Sequence, residues 1–151
     1  MIDLSANWGY FCNIFESTGF ECWAYESDKD NKYFMKKLKR AENKKYKILN
    51  SLSDETNSKK GFDFALILGI SSNFLGSEDF VYKINSFISN NKINDIFLSF
   101  NHLGKSKNST DKKDEIINNL FFGSKILINR EIGSNDLGFP IYKITINWMY
   151  F

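Results

Sequence analysis

Apolar positions along this chain switch between a period of two and a period near 3.6, and each switch marks an element boundary. Ile2 and Leu4 bracket Asp3 in a short apolar strand, and Ser5, Ala6, Asn7 and Gly9 follow as a loop of small and polar residues. Across residues 8–18, Phe11, Ile14 and Phe15 recur at helical spacing, with Gly19 as the stop. Residues 20–25 alternate as a second strand, with Cys22 and Ala24 on one face, Trp23 and Tyr25 on the other, and Glu26 at the end. Asp28 is placed to cap a helix running to about Arg40, with Phe34, Leu38 and Ala41 expected on its inner face. Residues 46–50 read as a third strand and 51–60 as a polar connection.

Residues 62–68 form a continuous apolar run closed by Gly69. Such a run belongs to a strand covered on both faces, as in a parallel sheet. A helix over 77–90 turns Phe80, Ile84, Phe87 and Ile88 inward, and 95–100 is a fifth strand followed directly by Asn101 and His102. Residues 104–113, rich in Lys, Ser and Asn, are expected to form a loop able to act as a lid, before a last helix over 114–122. From Gly123 the pattern changes to two longer strands, 125–132 and 141–148, whose turn-rich link predicts an antiparallel hairpin. The fold class is therefore α/β.

Composition narrows this picture. A chain of 151 residues makes one domain with its own core, and 42% hydrophobic residues with fifteen Phe supply the material to fill it. A formal charge of +2 is not the clustered basic footprint of a nucleic-acid binder. Two cysteines, Cys12 and Cys22, are too few for a disulfide framework or a zinc site, which favours a reduced, cytoplasmic setting without metal. No apolar run approaches the roughly 18 residues of a membrane span, and the acidic, polar start is unlike a signal peptide.

Candidate chemistry gathers at the carboxyl ends of the strands, where open α/β sheets bind ligands. A dinucleotide would need several glycines in the first loop to approach its pyrophosphate, and only Gly9 is present. S-adenosylmethionine instead offers a cationic sulfonium and a zwitterionic amino acid, for which Asp3 and the Asn7 amide are suitable partners. Glu26, 17 residues beyond Gly9, stands where a strand-end carboxylate accepts both ribose hydroxyls of a nucleoside. The lysines between Lys29 and Lys47 read as the solvated face of a helix, with phosphate tracking as the alternative.

The stretch Asp3-Leu4-Ser5-Ala6-Asn7-Trp8-Gly9-Tyr10-Phe11 resembles motif I of the class I, Rossmann-like S-adenosylmethionine-dependent methyltransferases. The nearest variant is the D-x-G-A-N-x-G-Y-F form of FkbM-like enzymes, from which Ser5 departs where glycine is usual. Residues 24–28 resemble motif II, with Glu26 as the ribose-binding acid, and residues 62–70 resemble motif IV, opened by Asp63. The resemblance implies a three-layer sandwich with a seven-stranded, mostly parallel sheet in the order 3-2-1-4-5-7-6 and an antiparallel seventh strand. It implies cofactor contacts from Asp3, Ser5, Asn7, Gly9, Glu26, Ser51 near the base, and Gly69. Members of that family usually carry helices before the first strand that help cover the ligand, whereas this chain starts inside the strand. A fragment or an open site is therefore expected, with an N-terminal segment or a partner as possible cover.

Methyl transfer is largely positioning and needs at most one base. His102, the single histidine, is the candidate proton acceptor on the substrate side, and Ser71, Ser72 and Asn73 are alternative polar contacts. The expected activity is methyl transfer from S-adenosylmethionine to an acceptor the sequence does not name, with a non-catalytic binding or regulatory subunit as the alternative.

Overall fold

The computed structural model describes residues 1–53, 61–71, 77–101, 109–122, 124–134 and 140–148. Seven strands form one sheet: β1 (Ile2–Asp3), β2 (Trp23–Tyr25), β3 (Lys47–Leu49), β4 (Phe64–Ser71), β5 (Asp95–Asn101), β6 (Ser124–Ser134) and β7 (Pro140–Trp148). Their order is β3-β2-β1-β4-β5-β7-β6, as the resemblance implies. β1 pairs in parallel with β2 and β4, and β7 runs antiparallel to both β5 and β6. Four helices complete the described residues: α1 (Tyr10–Ser17), α2 (Lys29–Ala41), α3 (Glu78–Asn90) and α4 (Ser109–Leu120).

Strand alternation divides the core between two faces. Ile2, Leu4, Ala65, Ile67, Ile96 and Leu98 meet Ile84, Phe87 and Ile88 of α3 and Ile117 and Leu120 of α4. Asn85 ties these helices together, its side-chain amide donating to the Leu120 carbonyl at 2.7 Å. Ala24, Cys22 and Leu66 face the other way, towards Cys12 of α1 and Met35 of α2. The division of β2, with Cys22 and Ala24 opposite Trp23 and Tyr25, is the one its alternation predicts.

Two inner faces and one helix start differ in detail from the sequence pattern. In α1, Phe11 and Phe15 pack on the core as expected, but the fully buried residue is Cys12, and Ile14 is 43% exposed. In α2 it is Met35; Phe34, Leu38 and Ala41 lie outside. Each helix fully buries one residue against β1, β2 and β3, which are only two or three residues long. Phe34 finds its partner in the Trp8 ring, at 5.7 Å between centroids. The third difference concerns α4, which starts at Ser109 inside the stretch expected to be a lid. Asp28 caps α2 as expected, its carboxylate accepting from the Asn31 amide at 2.8 Å.

Candidate functional site

β1 lies between β2 and β4, so the chain leaves it in one direction to build β2 and β3 and returns on its other side as β4. The crevice above that reversal is the topological switch point, where open α/β sheets hold ligands. A cavity of about 600 Å³ opens there, within the range of cofactor sites. Ser5, Ala6, Asn7 and Trp8 line it from the loop after β1, and Leu68 and Gly69 from β4. Tyr10, Phe11, Asn31, Ser99 and Ile141 complete it.

The loop is held by its own backbone. The Ser5 amide donates to Asp3 Oδ1 at 3.1 Å, the Ala6 amide to the Tyr25 carbonyl at 3.0 Å, and the Asn7 amide to Glu26 Oε2 at 2.7 Å. The Gly9 amide closes a tight turn on the Ala6 carbonyl at 2.7 Å. Asn7 takes a left-handed φ of 49°, a conformation asparagine tolerates better than most residues. These four amides are engaged inside the protein and so are not free to cradle a pyrophosphate.

Ser5 shows what its departure from glycine does. Its hydroxyl donates to the Leu68 carbonyl at 2.9 Å and accepts from the Leu68 amide at 2.8 Å. The side chain thereby continues the β1–β4 ladder beyond the two residues of β1. Gly9 is required by packing: its φ is 87°, and a Cβ there would stand 2.5 Å from the Tyr46 hydroxyl and 3.1 Å from Met35. It does not line the cavity.

Glu26 is buried, and both of its oxygens hold backbone, Oε1 accepting from the Asp28 amide at 2.8 Å. It clasps the loop after β1 to the start of α2. Asp3 is 1% exposed, and its Oδ2 has no hydrogen-bond partner. Burial pushes the Asp3 carboxyl up to about 7, the Ser5 amide opposing the rise and the nearby Glu26 carboxylate adding to it.

Of the residues expected at the site, the cavity walls include Ser5, Asn7 and Gly69; Asp3, Gly9 and Glu26 support the loop from behind. Ser51 follows β3 and shares a 2.8 Å hydrogen bond with the Ser53 hydroxyl, away from the cavity lining. His102, Ser72 and Asn73 lie outside the described residues, and Ser71 is the last residue of β4. The chain pattern missed Ser99, a polar residue among Ile96, Phe97, Leu98 and Phe100 that is 1% exposed with its Oγ unpartnered. Its signal was a hydroxyl at the centre of an apolar strand.

No protein-family model matches the sequence, and no curated protein matches it. Solved structures do. An S-adenosylmethionine-dependent methyltransferase from Clostridium acetobutylicum superposes with a TM-score of 0.66 at 11% identity, covering 99% of this chain and 83% of that one. The fold is that of the Rossmann-like methyltransferases. The methyltransferase domain of bacterial CtHen1-CN superposes at 0.62 with 12% identity, covering 95% of this chain and 88% of that domain. The bifunctional kinase-methyltransferase WbdD gives 0.64 at 14% identity, and there this chain spans 34% of the longer protein. Among the described residues no helix is long and apolar enough to cross a membrane, and no cluster of metal-ligating side chains is present.

Proposed function

We propose that the protein binds S-adenosylmethionine at the switch-point cavity and transfers its methyl group to an acceptor. The observation that carries this is the pairing of a ligand-sized cavity having no Lys or Arg among its described lining residues with a buried, half-partnered carboxylate just before the loop. Among the described residues a phosphate-rich ligand would find no cation there, and the Ser5, Ala6, Asn7 and Gly9 amides are already engaged. A cationic one would be favoured by Asp3, and Asn7 offers its side-chain amide to the ligand carboxylate. The first loop stands nearest the FkbM-like form, with the Ser5 hydroxyl committed to β4. Glu26 would present its remaining lone pairs to the ribose while holding the Asn7 and Asp28 amides.

The sulfonium would supply an activated methyl carbon; this chain supplies position. Loop and β4 fix the two walls, and His102, next after β5, is assigned as proton acceptor for an acceptor with a proton to lose.

Calorimetry with S-adenosylmethionine tests the binding step. Because the cation wants Asp3 ionised, affinity should rise as the pH climbs from 6 to 8, through the Asp3 carboxyl at about 7. Asp3→Asn should bind weakly and flatten that dependence. Absence of saturable heat at pH 8 would sink the assignment. Heat without transfer of a labelled methyl group to any acceptor would leave a binding subunit instead.

A further inference from the structure

Beside the cofactor cavity lies a second space, a groove of about 370 Å³ whose lining residues, among those described, are all apolar. The two share Phe11, Leu68 and Ile141, so the groove adjoins the cavity. Its floor is built from aromatic rings meeting edge to face: Phe15 and Phe64 at 5.4 Å and 63°, Phe64 and Phe97 at 5.5 Å and 86°. Ile132 of β6 forms a half-exposed rim. Lys143, paired in register with Phe97, is drawn to Asp95 at 3.5 Å.

Ser99 marks the junction. It lines the cavity across from the irregularity in β4, where the register slips between Ile67 and Ile70 and Gly69 takes a φ of 72°. Such a bulge bends a strand and re-aims its neighbours. The Ser99 hydroxyl is left buried without a partner, a standing cost that a guest's polar atom would relieve.

We propose that the groove seats the methyl acceptor, a small uncharged aromatic compound whose polar substituent hydrogen-bonds the Ser99 hydroxyl. Aromatic guests suit a floor of offset rings, which prefer edge-to-face and displaced contacts. A charged guest would lose its hydration against an all-apolar lining with nothing in return. Ser99 thus sets specificity by demanding one hydrogen-bonding group at the mouth of an apolar seat. The proposal rests on the methyl-transfer reading for the word acceptor, but the seat is testable without it.

The experiment titrates the full chain with 2-naphthol, naphthalene and 2-naphthyl phosphate by tryptophan fluorescence, with S-adenosylmethionine calorimetry run alongside. 2-Naphthol should bind saturably, and Ser99→Ala should weaken it by about three- to tenfold, the range of one neutral hydrogen bond. Naphthalene should bind parent and variant alike, and the phosphate should bind at least about tenfold more weakly than 2-naphthol. Ile132→Trp, which fills the groove from its rim, should abolish 2-naphthol binding and leave S-adenosylmethionine binding unchanged. Indifference of 2-naphthol to both substitutions overturns the seat, as does preference for the phosphate or self-association through this face without 2-naphthol uptake. If 2-naphthol behaves as expected while S-adenosylmethionine gives no heat, the methyl-transfer reading fails and the aromatic seat stands.

Discussion

The two faces of the sheet carry the same alternating strands and meet different fates. On one, α3 and α4 press Ile84, Ile88, Ile117 and Leu120 against Ile96, Leu98, Ile144 and Ile146, all of them 1% exposed or less. On the other, α1 and α2 cover β1, β2 and β3, and no helix among the described residues covers β5 and β7. Two carboxylates on this second face measure the difference. Asp3, beneath α1, is buried with one oxygen unpartnered. Asp95, on the uncovered part, accepts from the Thr145 hydroxyl at 2.5 Å and pairs with Lys143. Cavity and groove both lie where cover by the described helices stops.

The largest expected effect lies on the sealed face. Ile88→Ala should cost about 2–5 kcal/mol in urea denaturation, because a fully buried side chain leaves a cavity its neighbours only partly fill. Ile141→Ala, half-buried on the open face, should cost less than half as much. Equal losses would mean that both faces are equally closed.

Next comes the charge beneath α1. Asp3 holds its proton to about 7 when folded but releases it near 4 when unfolded, so the unfolded state binds fewer protons between those values. Stability from this group is therefore present below about pH 4 and lost as the pH rises to about 7. Asp3→Asn removes the loss and should be more stable than the parent at pH 8 by up to about 4 kcal/mol, with the two converging near pH 4. A constant difference across the range would show that Asp3 is not desolvated. Ligand affinity should move the opposite way with pH, which separates the two consequences of one buried carboxyl.

Smaller is the effect expected at Gly9, between Met35 and Tyr46 on the covered side. Gly9→Ala must adopt a left-handed φ and displace the Tyr46 hydroxyl, for about 1–3 kcal/mol. Pairing it with Tyr46→Phe should recover part of that loss by clearing the contact. No recovery would place the whole cost in the backbone.

Element types were legible because they rest on patterns a single strand or helix carries by itself, whereas the order of the strands came only from the resemblance to the methyltransferases. The α3 face came through because Ile84, Phe87 and Ile88 sit in a broad apolar stripe. The α1 face came through only in Phe11 and Phe15 and the α2 face did not, since Ile14, Phe34 and Leu38 are as apolar as Cys12 and Met35, and only the position of short strands decides which turn inward. At the site, residue types pointed to the Asp3-to-Gly9 loop and to Glu26. What they could not convey was division of labour: Glu26 and Gly9 hold the loop from behind, while Ser99, from a distant strand, reaches the cavity. Truncating Glu26 therefore releases the Asn7 and Asp28 amides along with any ribose contact, so the fold would not be left untouched.

The Ser5 hydroxyl also bears on how the chain assembles. The loop it belongs to is secured on its β2 side by Tyr25 and Glu26, near neighbours in sequence. On its β4 side it depends on Leu68, 63 residues away. Closing so long a span of chain is slow relative to local structure. During synthesis, this loop waits half-paired until β4 follows it out, and only then does the switch-point crevice acquire its second wall.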